Sequence, residues 1–320
     1  MIITVTPNPS VDRTVFVDAL PRGTVIRSRR SSSEPSGKGV NVALALRAHD
    51  REVLAVLPVG GPAGAQLAEM LRCADVPHRT VPIADDVRSN ISLVEPDGTV
   101  TKINEAGPTL DPAEAEALML AALKETHDVA WLACGGSLPG GVPETFYARL
   151  TDEARRQGVK VAVDTSGPAL RAALRGRPDL VKPNAHELAE VAERHLRCLG
   201  DVVDAAGHLR TRGAGCVLAS LGADGAVLVD DSGVFHAEAP VTRVVSAVGA
   251  GDALLAGFLA AGGSGHRALR QALSWAAAAV QHEGTLLTGA DPAVPVLIHD
   301  HIDRDRPLAE PVGYGPVPPG

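Results

Sequence analysis

The chain has 320 residues, of which 45% are hydrophobic and 2% aromatic, and its formal net charge at pH 7 is -8. The hydrophobic fraction supports a large buried core and excludes a disordered protein. The acidic balance and the scarcity of aromatic side chains argue against a nucleic-acid partner, because phosphate backbones require a basic surface and bases stack on aromatic rings.

The sequence lacks the features of a membrane or exported protein. No apolar run reaches the roughly 18 residues that a bilayer-spanning helix needs, and the first residues do not form a signal peptide. We therefore expect a cytoplasmic protein without a membrane partner. The four cysteines are scattered, which favours buried free thiols over disulfides or zinc ligation. His299 and His301 are expected to be solvent-exposed and not metal ligands.

Apolar, strand-like runs alternate with Ala- and Leu-rich segments of helical period along most of the chain. The runs predict strands at 2–5, 53–59, 129–133, 159–163, 180–181 and 216–218. The periodic segments predict helices at 39–48, 63–71, 112–123, 143–157, 185–195 and 202–210. This alternation predicts an α/β fold with a largely parallel sheet and helices on both faces. Active sites of such sheets lie beyond the carboxyl ends of the strands.

Two regions interrupt this alternation, at about 13–36 and 79–105. Both contain short stretches of polar alternation, and Glu95-Pro-Asp-Gly98 predicts a hairpin turn. We interpret them as a small β lid inserted in a main domain that runs to residue 304, an arrangement that suits a reaction from which water is excluded. Residues 305–320 are rich in Pro and Gly and are predicted to be a flexible tail.

A glycine pair, Gly249 and Gly251, brings one acid, Asp252, onto an apolar helix. Glycines expose backbone N–H groups, and the positive end of a helix dipole attracts anions. A carboxylate beside a bound phosphate is better suited to accept a proton from an attacking hydroxyl than to hold the phosphate, because like charges repel. The alternative is a helix N-terminus with a glycine hinge, and this segment alone does not decide between the two.

Further polar motifs follow predicted strands. Asp12, at the end of Thr-Pro-Asn-Pro-Ser-Val-Asp, is expected on the loop after the first strand, where it would accept hydrogen bonds from sugar hydroxyls or serve as a turn residue. In Ser-Gly-Lys-Gly-Val-Asn, Gly37 and Gly39 allow close backbone approach while Lys38 and Asn41 offer a charge and an amide. The spacing is not that of a Walker motif.

Three cations fall near strand ends and together would neutralise a phosphate: Lys38, Arg88 and Lys102. Isolated cations are more often ordinary surface charges, so this grouping depends on the fold. The same alternative applies to the basic run at 27–30, which in most proteins is a solvated loop.

Two motifs suit a nucleotide and its metal. Asn184 and Glu187 lie one helical turn apart, which fits Mg²⁺ held through water, but a capping box predicts the same residues. Ser-Leu-Gly-Ala-Asp-Gly at 220–225 places a glycine turn between two strands. Its N–H groups would reach phosphates, and the alternative is an ordinary hairpin.

In this order the motifs resemble those of the ribokinase-like carbohydrate kinases, the PfkB group, over residues 2–279. The wording Thr-Pro-Asn-Pro-Ser-Val-Asp, Gly-Lys-Gly-Val-Asn-Val-Ala, Thr-Lys-Ile-Asn-Glu and Gly-Ser-Leu-Pro is most similar to 1-phosphofructokinases and tagatose-6-phosphate kinases. The resemblance implies a three-layer sandwich with a mostly parallel central sheet and a small β-sheet lid. It also implies an enzyme that uses ATP and Mg²⁺ to phosphorylate a sugar phosphate.

The resemblance also implies roles for individual residues. The catalytic base would be Asp252, in an anion hole formed by Gly249, Ala250 and Gly251. The sugar-binding positions would be Asp12, Gly37, Lys38 and Asn41, with Arg88, Lys102 and Ser137 near the sugar's phosphate. The ATP side would comprise Lys182, Asn184, Ser220, Leu221, Gly222, Ala223, Asp224, Gly225, Gly251 and Asp252, and Asn184 and Glu187 would hold Mg²⁺ through water. Family members often form homodimers through their lids, and Arg29 is the candidate to reach the partner's sugar phosphate.

The favoured hypothesis is conversion of fructose 1-phosphate to fructose 1,6-bisphosphate. Ser36, Ser246 and the Pro-Gly-Gly at 139–141 depart from the commoner family wording, and Ser36 lies close enough to the sugar to leave tagatose 6-phosphate and fructose 6-phosphate as alternatives. A non-catalytic sensor of sugar phosphate or nucleotide is a further alternative. A nicotinamide-dependent oxidoreductase is disfavoured because no Gly-x-Gly-x-x-Gly follows the first strand.

Overall fold

The structure is a computed structural model that describes residues 1–124, 126–241, 244–281, 294–299 and 301–314. Its strands are β1 Ile2–Val5, β2 Ser10–Phe16, β3 Arg30–Ser36, β4 Val53–Val59, β5 His78–Pro82, β6 Arg88–Val94, β7 Val100–Asn104, β8 Trp131–Gly135, β9 Lys160–Asp164, β10 Leu180–Val181, β11 Leu196–Cys198, β12 Cys216–Ser220, β13 Ala226–Asp230, β14 Gly233–Glu238, β15 Leu297–His299 and β16 Pro307–Val312. Its helices are α1 Lys38–Ala48, α2 Gly61–Cys73, α3 Pro112–Leu123, α4 Phe146–Arg156, α5 Gly167–Ala173, α6 Ala185–Ala192, α7 Leu199–Thr211, α8 Ala250–Ala260 and α9 Gly265–Ala279. None of these helices has the length and apolar character needed to cross a membrane.

The main sheet has ten strands in the order β15-β14-β13-β12-β10-β9-β8-β1-β4-β5. The seven strands from β12 to β5 are parallel, whereas β13, β14 and β15 are added in antiparallel pairing. The largely parallel sheet expected from the alternating apolar runs is therefore confirmed.

Two hydrophobic layers enclose this sheet. Alternation along β1 sends Ile3 to the layer formed with helices α3 to α7, and Ile2 to the layer formed with α1, α2, α8 and α9. Phe146 and Phe258 are fully buried anchors of the two layers. A strand buried on both faces reads as a continuous apolar run, which is why these strands were visible in the sequence.

A separate four-stranded sheet, in the order β3-β2-β6-β7, forms the lid. The hairpin predicted at Glu95–Gly98 joins β6 to β7. Two details of the prediction are wrong. Residues 78–82 form β5 at the edge of the main sheet and not part of the lid. Asp12 lies within β2 and not on a loop, because Ser10–Phe16 pairs with both β3 and β6.

The C-terminal segment is more ordered than its composition predicts. Pro307–Val312 forms β16, which pairs with β11 and buries Leu308 and Val312. The expectation of a flexible tail from residue 305 is therefore wrong for this strand, because the antiparallel pairing and two apolar contacts compensate for the prolines. Residues 315–320 lie outside the described residues. Cys73 is exposed, unlike the buried thiol expected there.

Candidate active site

The carboxyl ends of the parallel strands bring the predicted motifs to one edge of the main sheet. Asp164 is the last residue of β9, Lys182 follows β10, and Ser220 ends β12. Thr6 follows β1, which leads directly into the lid. Motifs far apart in sequence are thus placed along a single cleft.

Asp252 lies in the first turn of α8, after Gly249 at the N-cap. Gly249 has φ 80°, a left-handed conformation that favours glycine. Asp252 is buried, and the Asn41 Nδ2 group donates a hydrogen bond of 2.7 Å to its Oδ2. Burial and then the charge of Asp164 raise the pKa of the Asp252 carboxyl to about 6. A carboxyl group with that pKa is ionised at neutral pH and close to the pKa suited to a general base.

Asp164 is the centre of a charge cluster beside Asp252. Its Oδ1 lies 2.6 Å from Lys38 Nζ and its Oδ2 lies 3.0 Å from Lys182 Nζ. Burial acts to raise the pKa of Asp164, but the two lysines outweigh it and lower that pKa. Asp164 therefore stays ionised and holds two cations close to the base. Lys182 also borders α8, because a Cβ on Gly251 would lie 3.3 Å from Lys182 Nζ.

Lys38 connects this cluster to Glu187 of the predicted Mg²⁺ motif. Its Nζ lies 3.6 Å from Glu187 Oε1. Burial by itself lowers the pKa of Lys38, but Asp164 and Glu187 outweigh it and raise that pKa above its ordinary value. Lys38 is thus a permanent cation in the cleft.

The lid supplies polar groups on the other side of the cleft. Asp12 Oδ1 accepts hydrogen bonds from Ser10 Oγ at 2.6 Å and from Asn90 Nδ2 at 2.9 Å. The two Arg88 Nη groups donate to the backbone oxygens of Glu105 and Asn8, each at 3.1 Å. These bonds fix the orientation of Asp12 and Arg88 before any ligand binds.

The loop after β1 joins this side to the main sheet. Asn8 Nδ2 donates to Ser137 Oγ at 3.1 Å, and a Cβ on Gly37 would lie 3.2 Å from Pro9 Cα. Close packing at Gly37 thus sets the start of α1, and with it Lys38, against the loop that carries Asn8.

Several buried polar atoms here have no hydrogen-bond partner among the described residues. They are Asn8 Oδ1, Asn41 Oδ1, Asn90 Oδ1 and Arg88 Nε. Leaving such atoms unpaired is costly, so their concentration in one cleft indicates a ligand rich in hydroxyl groups or negative charge.

Asn184 and Glu187 form the capping box at the start of α6. Asn184 Oδ1 accepts from the Glu187 N–H and Glu187 Oε2 accepts from the Asn184 N–H, both at 2.9 Å. Glu187 Oε1 is directed to Lys38 and the charge cluster. The cap therefore orients the carboxylate and does not exclude a metal role. Carboxylate oxygens of Glu187 and Asp164 in one cluster are the hard donors that fit Mg²⁺.

The turn at 220–225 lies beside this helix, since Ser220 N–H donates to the Pro183 oxygen at 3.0 Å. The N–H groups of Leu221, Asp224 and Gly225 donate within the turn itself. The Asp224 carboxylate accepts from the Ala309 N–H at 2.7 Å. The Asp224 side chain is therefore held by the C-terminal segment, and the place of this turn on the ATP side stays a prediction.

Two predicted residues stand apart from these contacts. Lys102 is exposed on β7, although its register places it on the same lid face as Asn90 and Asp12. Arg29 is 62% exposed in its side chain and forms an ion pair with Asp18 inside the lid.

The sequence interpretation missed Asp164 and gave no role to Asn8 or Asn90. Asp164 had a usable signal, because it is an acid at the carboxyl end of an apolar strand. Asn8 lies inside the Thr-Pro-Asn-Pro motif that was identified, whereas the role of Asn90 depends on lid pairing across distant segments.

A buried carboxylate able to take the proton of a hydroxyl group, with fixed cations beside it to neutralise phosphates, is the chemistry of a carbohydrate kinase. Similarity to known proteins indicates the same class of enzyme. The pfkB family carbohydrate kinase model matches residues 6–290, and the chain belongs to this family.

The names of similar proteins narrow the assignment within this family. The chain is 40% identical to a 1-phosphofructokinase of Rhodobacter capsulatus over 81% of this chain and 82% of that protein. It is also 40% identical to a 1-phosphofructokinase of Haloferax volcanii, over 89% and 92%. The crystal structure of Escherichia coli phosphofructokinase-2 in complex with potassium superposes with a TM-score of 0.84 at 33% identity, covering 90% of this chain and 95% of that one. The ribokinase-like fold expected from the motifs is confirmed, and the protein is a sugar-phosphate kinase.

Proposed function

We propose that the protein transfers the γ-phosphoryl group of ATP to the C6 hydroxyl of fructose 1-phosphate, giving fructose 1,6-bisphosphate. The observation that carries the proposal is the buried Asp252 carboxylate, held by Asn41 beside two lysines that share Asp164. The names of the two relatives support this sugar, as does the sequence wording around Lys38 and Asn41.

In this proposal Asp252 accepts the proton of the C6 hydroxyl. The hydroxyl oxygen forms a bond to the γ-phosphorus while the bond from that phosphorus to the β,γ-bridging oxygen breaks, and ADP leaves with the electron pair. The N-terminus of α8, Lys38 and Lys182 stabilise the negative charge that is redistributed during transfer. Asn41 keeps the carboxylate of the base in one orientation.

Asn184 and Glu187 are the residues that would hold Mg²⁺ through water. When bound, the ion neutralises phosphate charge and orients the transferred group. The capping box contributes by fixing the Glu187 side chain in place before the metal arrives.

The phosphate of the sugar would be held by Arg88, Lys102 and Ser137. Support comes from the unpaired Arg88 Nε and from the Asn8 bond that holds Ser137. Asp12, Asn90 and Asn41 would then bind the sugar hydroxyls, and the unpaired oxygens of Asn90 and Asn41 support this role for the two asparagines.

A substrate panel tests the choice of sugar. We expect kcat/KM with ATP and Mg²⁺ to be highest for fructose 1-phosphate among fructose 1-phosphate, fructose 6-phosphate, tagatose 6-phosphate and unphosphorylated fructose. Arg88→Gln should reduce kcat/KM for the phosphorylated sugars and leave any weak turnover of fructose unchanged. Preference for a 6-phosphate or for fructose would refute the proposal, and saturable binding without turnover would favour a sensor.

A homodimer formed through the lids is also part of the proposal, with Arg29 directed to the sugar phosphate of the partner. Support comes from the exposure of Arg29 and from Val100 and Ile103, which are 48% and 52% exposed on the edge strand of the lid. Among the described residues β7 has no strand partner other than β6, and an edge of this kind is a common surface for pairing with a second chain.

A further inference from the structure

Three side chains of types that can bind a metal meet at the β14–β15 edge of the main sheet, beside the turn at 220–225. His236 and Glu238 alternate along β14 and so share a face, and His299 on β15 pairs directly with His236. One potential ligand atom from each residue lies within 4.8 Å of the others. The sequence predicts a solvent-exposed His299 that is not a metal ligand. No local motif contains this trio, because the three residues come from strands separated by a long stretch of chain.

The hydrogen bonds of His236 prepare it for metal binding. Its Nε2 lies 2.7 Å from the Asp224 backbone oxygen, which can only accept, so Nε2 carries the proton and Nδ1 keeps its lone pair. A ring N–H donated to a carbonyl is the usual support for a metal-bound histidine.

Glu238 is oriented in a similar way. Its Oε1 accepts from Arg306 at 2.7 Å, and its Oε2 lies 3.1 Å from His299 Nε2. One oxygen is thus fixed by a supporting residue while the other faces the two histidines.

We propose that His236, Glu238 and His299 form a binding site for Zn²⁺ or a chemically similar divalent transition metal. Two imidazole nitrogens and one carboxylate oxygen suit such ions and not Mg²⁺ or Ca²⁺, which prefer oxygen ligands alone. The His299 side chain is 42% exposed, which gives the ion an entry path and leaves room for a water molecule as fourth ligand.

Arg306 opposes the binding of a cation, because its positive charge lies close to the site. Its guanidinium group pairs with Oε1 of Glu238 and, at 3.4 Å, with Oδ1 of Asp224. The positive charge of Arg306 is therefore divided between two carboxylates. Without a metal, the same residues would form a plain ion-pair network, and the experiment must separate these two cases.

Isothermal titration of the chelator-treated full chain with ZnCl₂ tests the site, with Co²⁺ absorption in the visible range reporting on the ligands. We expect one Zn²⁺ per chain, with affinity lowered by at least about 100-fold in His299→Ala, the upper end of what losing a supporting residue costs a metal site. His301→Ala is the matched control and should bind like the wild type, since His301 is exposed outside the trio.

His299 is partly exposed, so its replacement should leave the fold intact, which circular dichroism checks. Glu238→Gln provides a second variant that keeps the size of the side chain while removing the ligating charge. A wild-type chain without a saturable Zn²⁺ site would overturn the proposal in favour of the plain network. Equal affinities in wild type and His299→Ala, or an equal loss in His301→Ala, would overturn it as well.

Discussion

At the scale of single residues, the proposed role of Asp252 as the base predicts the pH dependence of the reaction. The pKa of Asp252 is raised to about 6, so the carboxyl group is protonated and unable to accept a proton below that pH. We expect kcat/KM to fall about tenfold for each pH unit below this pKa and to level off above it. A pH–rate profile measured with fructose 1-phosphate checks the position of this acidic limb.

Asp252→Asn preserves the size of the side chain and removes the base. We expect kcat to fall by roughly a hundredfold to ten-thousandfold, the range typical for loss of a general base. Thermal unfolding should show little change, because the amide can occupy the same buried space. A variant that retains near-normal turnover would show that Asp252 is not the base.

Asp164 is a positioning residue in this site, because it acts by holding Lys38 and Lys182 and by its charge on Asp252. In Asp164→Asn the two lysines lose their shared counter-ion, so we expect a lower kcat. The acidic limb of the pH profile should also move to lower pH, because the charge of Asp164 is one cause of the raised Asp252 pKa.

Asp179→Asn is the control for this prediction. Asp179 accepts a hydrogen bond from the Val161 N–H near the start of the same strand, β9, far from the cleft. The Asp179→Asn variant should leave the pKa of the acidic limb unchanged. A limb that stays in place in Asp164→Asn as well would restrict Asp164 to a structural role.

Asp252, Lys38 and Asn41 could be selected as candidates from the sequence because each belongs to a short local motif whose order along the chain is informative. Asp164 is a single acid at the end of an apolar run, and Lys38 lies 126 residues away from it in the sequence. Its two partners come from the start of α1 and from the end of β10, and no local pattern contains this juxtaposition.

At the scale of elements, the helices and parallel strands could be predicted from local sequence, whereas β16 could not. Buried strands and amphipathic helices are visible as apolar runs and periods, and their predicted positions agree with the structure to within a few residues. β16 contains prolines at both 307 and 311, and composition alone favours a loop there. Its pairing with β11 depends on contacts more than 100 residues apart, for example between Leu196 and Val312.

Leu308 provides a test of how firmly this strand is bound. It is buried against the main core, so Leu308→Ala should lower the free energy of unfolding by about 2 to 5 kcal/mol, the usual cost of such a cavity. Urea denaturation measures the change. Glu310→Ala, an exposed position on the same strand, should have almost no effect. If Leu308→Ala were equally silent, the segment would be the loose tail that its composition suggests.

At the scale of the whole molecule, the lid is built from two separate segments and attached to a rigid sheet at the carboxyl ends of its strands. The base, the lysines and the metal motif come from the main domain, whereas Asp12, Asn90 and Arg88 come from the lid. Closing this lid over the sugar would exclude water from the transfer step. A second chain paired with the lid could then complete the site with Arg29.

Mixing two inactive variants tests whether Arg29 acts in the partner's site. In Arg29→Ala the base is intact but no arginine reaches the neighbouring sugar phosphate, and in Asp252→Asn the arginine is intact but the base is lost. A mixed dimer contains one site with both groups, so turnover should rise above that of either variant alone after subunit exchange. Mixing Asp252→Asn with Asp164→Asn should give no rise, because both residues act within their own chain. Absence of recovery in a mixture that gel filtration shows to be dimeric would place Arg29 in its own chain's site or outside the reaction.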